Sequence, residues 1–286
     1  MLWLLLSVVC SVAVGVLLKA SARAGLQASQ LITWNYLAAS GLALWLLKPS
    51  MDVLADTHTP WPALLVLAVV LPSMFWIMAR SLRHAGLIRT DAAQRLSLLL
   101  SLLAAFTWFG ETLNSWKLAG LALGLAAIAG ILARPTGQVA GPSAWRWLLG
   151  VWLGYAGVDV LLKHVASAGA PSTAALFVSF VGAFVLMLAV QLVRQLRGDT
   201  RLDGRHLGWG LALGVLNFAN ILCYIRAHQA LPDNPAAIFA GMNIGVVALG
   251  TLAGSVLFGE ATSRWNRLGL ALAVAAIGLI TLGARG

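Results

Sequence analysis

Charged side chains are scarce in this sequence. Asp, Glu, Lys and Arg make up 10% of it, hydrophobic residues 60%, and the mean hydropathy is +0.88. A soluble domain carries roughly 25% charged residues, so the composition excludes a soluble globular protein. Alternation with a period of two is also absent, which favours spanning helices over the strands of a barrel.

Ten apolar runs each come close to the roughly 17–25 residues that a membrane-spanning helix needs. The runs are Leu2–Leu18, Leu31–Leu47, Trp61–Met78, Ala92–Phe109, Trp116–Ala133, Trp147–Leu162, Thr173–Val193, Leu207–Ile225, Pro235–Phe258 and Leu268–Leu282. The first run lacks a positively charged leading segment and is repeated by the sixth, so a retained helix is expected rather than a cleaved signal peptide.

Motifs for metal, nucleotide and covalent chemistry are missing as well. Cys10 and Cys223 lie inside apolar runs, and the five His show no ligand spacing, so neither a disulfide nor a metal site is predicted. No GxxxxGK motif supports ATP-driven pumping. No set of nucleophile, base and acid can be assembled, so neither an enzyme nor a cofactor is predicted. The net charge of +10 comes mostly from loops and helix ends, which makes the lipid bilayer, and not nucleic acid, the expected partner.

The sequence does contain an internal repeat. The aligned segments include Val14–Lys19 with Val158–Lys163, Gly110–Glu111 with Gly259–Glu260, and Gly120–Leu123 with Gly269–Leu272. The predicted domains are residues 1–140 and 141–286, with five apolar runs in each. Five is odd, so the second copy enters the membrane from the opposite side. We therefore predict an all-α membrane protein, with ten transmembrane helices as two inverted five-helix repeats around a central cavity, as in many secondary transporters.

Polar residues recur at helical spacing in six of the ten runs. Intramembrane polar groups normally face the interior of a bundle, and function is the default hypothesis for the ionisable ones. The alternative is that they hold helices together, at about 0.6 kcal/mol per contact. The predicted substrate cavity consists of Lys19, Ser73, Trp76, Arg80, Gln94, Arg95, Tyr155, Lys163, Asn217, Asn220, Tyr224 and Asn243.

Asp159 is the candidate for proton coupling, because it lies deep in a predicted span with Lys163 one turn later. A static i, i+4 ion pair is the alternative. Lys19 and Lys163 also have a structural alternative, since a lysine near a helix end can extend its ammonium group to the interface. Glu111 and Glu260 each follow a glycine at the end of an apolar run, and we interpret them as structural acids at helix N-termini.

Taken together, these features resemble the drug/metabolite transporter superfamily, specifically its ten-helix proteins with two EamA-like repeats. The resemblance rests on Phe109-Gly110-Glu111 and its copy Phe258-Gly259-Glu260, on Lys19 and Lys163 after the first helix of each repeat, and on the Gly/Ala-rich fifth and tenth helices. It covers essentially the whole chain. It implies that helices one, three, four, six, eight and nine surround the cavity, and that amino acids, metabolites or toxic compounds are exported by proton coupling or exchange.

Two features depart from the resemblance. Lys and Arg are concentrated in the loops after odd-numbered helices, which by the positive-inside rule places both termini outside the cytoplasm. Family members are usually drawn with both termini in the cytoplasm, so the orientation stays open. The small four-helix relatives that export cationic drugs use a Glu within their first helix, and this chain has none there.

From the sequence we predict a multi-pass protein of a bacterial inner membrane, a secondary active transporter and exporter of a small anionic or zwitterionic metabolite. Cations outnumber Asp159 in the predicted cavity, which favours a substrate with a carboxylate or phosphate group. The alternatives are a broad-specificity exporter of hydrophobic drugs, a flippase for a lipid-linked substrate and a non-transporting membrane scaffold. The substrate's identity, the coupling ion and the oligomeric state stay open, and a monomer is compatible with the sequence.

Overall fold

A computed structural model describes residues 2–50, 59–109, 114–132, 144–169, 171–231 and 235–283, and all the regular structure in these ranges is helical. The helices are α1 (Leu2–Arg23), α2 (Ala28–Leu42), α3 (Trp61–His84), α4 (Leu87–Leu96), α5 (Leu98–Phe109), α6 (Ser115–Leu132), α7 (Ala144–Ser167), α8 (Ser172–Leu196), α9 (Gly204–Ala230), α10 (Pro235–Phe258) and α11 (Arg264–Gly283). A π-helical turn, Ala43–Leu47, continues α2.

Each of the ten apolar runs coincides with helix in the described residues. Seven helices are long and apolar enough to cross a membrane, judged by length and composition: α1, α3, α7, α8, α9, α11 and the Ile238–Phe258 part of α10. The second run ends in the π-helical turn and the fourth is divided into α4 and α5. These interruptions shorten the continuous α-helix in both runs, while α6 is a shorter apolar helix. A multi-pass membrane protein follows from these spans.

The chain folds into two compact units, and each takes segments from both halves of the sequence. The first unit comprises Met1–Val16, Arg80–Ala156 and Ala219–Gly286, and the second comprises Leu17–Ala79 and Gly157–Phe218. The boundaries lie inside α1, α3, α7 and α9, so these four helices each contribute to both units.

Glycines let the helices of the first unit approach closely. A Cβ added at Gly241 would lie 2.8 Å from the side chain of Leu4, and one at Gly245 would lie 2.9 Å from that of Val8. Both glycines are on α10, so their spacing of four residues makes a shallow face for α1. Along the same helix, a Cβ at Gly254 would lie 2.5 Å from Ile88 of α4. α10 is therefore the helix against which α1 and α4 both pack.

The second unit is organised around α2. Tyr36 is fully buried, with its ring 5.9 Å from those of Phe75 on α3 and Phe180 on α8. Gly210 and Gly214 on α9 lie against the α2 backbone, where an added Cβ would meet main-chain atoms. The aromatic contacts and the close backbone approach together fix α2 among α3, α8 and α9.

Candidate functional site

The fourth apolar run is broken at Ser97, between α4 and α5. The Ser97 hydroxyl donates to the carbonyl of Gln94 at 2.6 Å, and the Leu100 N–H donates to Ser97 rather than to Leu96. The carbonyl of Leu96 instead accepts a 2.8 Å hydrogen bond from the indole Nε1 of Trp152 on α7. Irregular backbone at membrane depth requires such a replacement donor, and discontinuous helices are where transporters build binding sites.

Arg95 lies in the last turn of α4, two residues before this break. Its Nη2 donates a 2.7 Å hydrogen bond to the hydroxyl of Ser11 on α1. Four residues earlier on α1, the buried hydroxyl of Ser7 lies 2.8 Å from Oδ1 of Asn220 on α9 and donates there. A spacing of four puts Ser7 and Ser11 on one face of α1. We call Ser7, Ser11, Arg95 and Asn220 the Arg95 cluster.

The Arg95 cluster is bordered by an apolar group. Tyr224 of α9 packs against the group formed by Val8, Val12, Met242 and Val246, where α1 meets α10. Its ring also meets that of His228 edge to face, at 4.7 Å. The first unit thus places a cation, an amide, two hydroxyls and an aromatic ring on α1, α4 and α9. That set of groups is suited to a small ligand with an anionic group and an apolar part.

Glu260 holds the other end of α4. Its Oε1 accepts from the Leu87 N–H at 2.6 Å and its Oε2 from the Ile88 N–H at 3.0 Å, so one carboxylate satisfies two of the free donors of the first turn. Gly86 precedes this turn with a φ of 87°, and a Cβ there would lie 2.8 Å from Glu260. Glu260 is positioned by Gly259, whose left-handed φ of 64° ends α10.

The second copy of the phenylalanine-glycine-glutamate motif, Phe258-Gly259-Glu260, therefore has a structural role. The acid lies at a helix N-terminus, as predicted, but this helix is α4 and not the next helix in the chain. The first copy contains Gly110 and Glu111, which lie outside the described residues.

Asp91 is a buried acid between these two ends of α4. It is 3% exposed, and its Oδ2 accepts no hydrogen bond from the residues that the structure describes. This oxygen faces Gly250 of α10, where an added Cβ would collide with it. Arg95 and Glu260 are the charged groups that act electrostatically on the Asp91 carboxylate. Arg89, on the same helix, is also buried and interacts with Glu260.

The second unit has its own polar contact. Asn217 Nδ2 of α9 donates to Oδ1 of the fully buried Asn35 on α2, at 3.3 Å. Lys19 is 9% exposed, whereas Ser73 and Trp76 of α3 and Asp159 of α7 are exposed. The Ser73 hydroxyl donates to its own helix, at Val69. The structure thus brings Asn217 to a partner on α2 and leaves the polar face of α3 uncovered.

The remaining predicted cavity residues differ in their surroundings. Arg80 is exposed, and its Cζ lies 6.0 Å from the centroid of the Trp147 ring. The side-chain amide of Asn243 donates to the carbonyl of Phe239 on its own helix at 2.8 Å. Three further residues are partly buried: Gln94, Tyr155 and Lys163.

Sequence reasoning did not select Ser7, and it noted Asp91 only as the residue one turn before Arg95. Ser7 lies one turn before Ser11 on the α1 polar face, so the helical period could have found it. Asp91 lies in a polar stretch just before an apolar run, and hydropathy gives no sign that α10 covers it. Among the described residues, no three His, Cys, Asp or Glu side chains are grouped so that they could hold a metal ion.

Comparison with known proteins identifies a family profile, a curated relative and solved structures of similar fold. The sequence profile described as EamA-like transporter family matches residues 1–133 and 143–282. A curated protein of Haemophilus influenzae (strain ATCC 51907 / DSM 11121 / KW20 / Rd), described as an uncharacterized protein, is 41% identical over 286 residues, covering 96% of this chain and 95% of the relative. A crystal structure aligns with a TM-score of 0.57 at 17% identity, covering 98% of this chain and 97% of the other, which is a likeness of fold alone.

Proposed function

The chain belongs to the EamA-like transporter family, and from that premise we propose that it is a secondary active transporter of a small anionic or zwitterionic metabolite, such as an amino acid. The observation that carries the proposal is the Arg95 cluster. A guanidinium group beside a broken helix, with hydroxyl and amide groups on α1 and α9, provides the donors that a carboxylate or phosphate group requires.

The remaining parts of the proposal rest on the repeat. Ten membrane-spanning helices, with the second five inverted relative to the first, provide two related gates for alternating access. Lys19 and Lys163 occupy equivalent positions in the two copies, and they add positive charge to the predicted cavity with Arg80 and Arg95. We propose export across a bacterial inner membrane as the direction and location, following the family.

A thermal-shift screen on purified protein tests the substrate class. The screen compares amino acids, dicarboxylates and sugar phosphates with quaternary ammonium compounds and hydrophobic drugs. We expect the anionic and zwitterionic compounds to raise the Tm, and Arg95→Gln to weaken the best of them by about tenfold or more, because a hydrogen bond to a charged group contributes roughly 1.5–3 kcal/mol. Arg264→Gln, at an exposed position of α11, is the matched control and should bind as the wild type does.

Each alternative function has its own outcome in this screen. Stabilisation by lipophilic cations alone would indicate a drug exporter and contradict the anionic substrate. Stabilisation by isoprenoid-linked compounds and not by their soluble head groups would indicate a flippase. If none of the compound classes changed the Tm, the scaffold interpretation would be favoured.

A further inference from the structure

Asp91 is a buried acid that the proposed substrate site does not use. Its carboxyl group is enclosed by α4 itself and by α10, and its Oδ2 has no hydrogen-bond partner in the described ranges. Gly250 leaves the space that this oxygen occupies. Burial of an ionised carboxylate with an unsatisfied oxygen is far less favourable than burial of the neutral acid.

The elements packed around α4 carry several ionisable residues besides Arg89 and Arg95 of α4 and Glu260 before α11. Within the first unit these are Arg80, Arg83 and His84 on α3, which contacts α4 through Ser81 and Thr90, Lys117 on α6, Arg264 and Arg267 on α11, Arg146 and Tyr155 on α7 and Cys10 on α1. The sequences of α5 and α10 contain no ionisable residue. Of all these groups, Arg95 and Glu260 act on the Asp91 carboxylate.

Glu260 is already engaged elsewhere. Both of its oxygens accept from backbone N–H groups of α4, and it interacts with Arg89. The charge balance of Asp91 therefore depends chiefly on Arg95, one helical turn away. Arg95 also donates a hydrogen bond to Ser11, so the guanidinium group whose charge acts on the buried acid is also part of the proposed substrate site.

We propose that Asp91 is a proton-binding site that controls the anion affinity of Arg95. With Asp91 ionised, its charge offsets that of Arg95 and weakens the attraction of Arg95 for an anionic ligand. A hydronium ion transfers a proton to the Asp91 carboxylate: one O–H bond of hydronium breaks, one O–H bond forms on Asp91, and neutral water is left. The uncompensated charge of Arg95 then attracts the anion, so proton and anion bind together. Net export then requires an outward anion gradient that exceeds the inward proton gradient.

This proposal deepens the proposed function and rests on it for the role of Arg95, but the protonation of Asp91 can be measured without a substrate. The first experiment is infrared difference spectroscopy of the purified full-length protein between alkaline and mildly acidic pH. We expect a protonated-carboxyl carbonyl band in the wild type that is lost in Asp91→Asn and retained in Asp159→Asn. A band that persists in Asp91→Asn would overturn the proposal.

A second measurement uses the wild-type protein and so remains informative if the Asp91→Asn variant does not fold. Wild-type protein is treated with dicyclohexylcarbodiimide, which modifies protonated carboxyl groups in apolar surroundings, and the label is mapped by mass spectrometry. Label on Asp91 that falls as the pH rises supports the proposal. Label on Asp159 and not on Asp91 would place the proton-binding site at the residue predicted from the sequence and would overturn the proposal.

The link to Arg95 is tested with sulfate, whose charge does not change over this pH range. We expect dilute sulfate to raise the Tm more at acidic than at alkaline pH. In Asp91→Asn the shift should be large at both, and in Arg95→Gln it should be lost at both. If sulfate did not change the Tm of the wild type, or changed it equally at both pH values, Asp91 would not control the anion affinity of Arg95. If the Asp91 band is present but no anion binds, the transporter proposal fails and the proton site stands.

Discussion

Asp91 and Gly250 meet where α4 packs against α10. The glycine is required by space and not by backbone conformation, because its φ is not positive and the nearest atom to an added Cβ is the Asp91 Oδ2. A carboxylate oxygen at the end of a short side chain in a packed interior has little room to move. The contact therefore couples the helix spacing to the position of the acid.

Gly250→Ala is accordingly expected to destabilise the protein. Overpacking of a close contact lowers the free energy of unfolding by about 1–3 kcal/mol. Replacing a glycine by alanine within a helix raises it by only roughly 1 kcal/mol. Gly278→Ala on α11 is the matched control, because a Cβ there has nothing within 4 Å. The Tm in detergent should fall for Gly250→Ala and stay level or rise for Gly278→Ala. Equal Tm values for the two variants would contradict the close contact.

The two candidate acids show what sequence reasoning can and cannot reach. Asp159 was selected because it lies inside an apolar run, but its side chain is exposed, whereas Asp91, outside every run, is buried. Hydropathy ranks a residue by its sequence neighbours, while burial depends on the helix that packs against it. The coupling role of Asp159 stays a prediction from the sequence. The selection of Arg95 relied on its charge in the first turns of an apolar run, with Asp91 noted one turn before it.

At the scale of elements, the helical runs were predictable and the break in the fourth was not. Ser97 is flanked by leucines, which form helices well, so nothing local indicates an interruption. The break is stabilised instead by Trp152, which is distant in sequence and donates to the released carbonyl of Leu96. The target of Glu260 is equally non-local, because it caps α4 rather than α11.

Trp152→Phe tests how far the break depends on that donor. Phenylalanine retains most of the apolar ring but leaves the Leu96 carbonyl without the indole N–H, and a buried unsatisfied carbonyl costs about 1–3 kcal/mol. We expect a lower Tm and faster amide hydrogen exchange in residues 96–101. Trp265→Phe, at a half-exposed position of α11, controls for loss of an indole and should change neither. Unchanged exchange around Ser97 in Trp152→Phe would show that the break does not depend on the indole.

At the scale of the whole molecule, the repeat and the compact units divide the chain differently. The family profile matches the chain in two consecutive blocks, whereas each unit combines segments from both halves, with boundaries inside α1, α3, α7 and α9. Four continuous helices thus serve both units. Domain limits at 1–140 and 141–286 stay a prediction about the repeat, which is visible in sequence because copied residues keep their order. The units depend on packing, which sequence order does not reveal.

Alternating access makes a prediction for the intact protein that a channel or a scaffold does not share. A carrier that must return through the same site does so faster with ligand bound, so unlabelled ligand inside a vesicle accelerates entry of labelled ligand. Proteoliposomes are loaded with the best anionic compound from the screen, and uptake of its labelled form is compared with that of empty vesicles. We expect saturable, ATP-independent uptake that is faster in loaded vesicles, retained in Arg264→Gln and lost in Arg95→Gln. Uptake that is linear in concentration and equal in loaded and empty vesicles would instead indicate a pore, because a pore has no binding site that must reorient across the membrane.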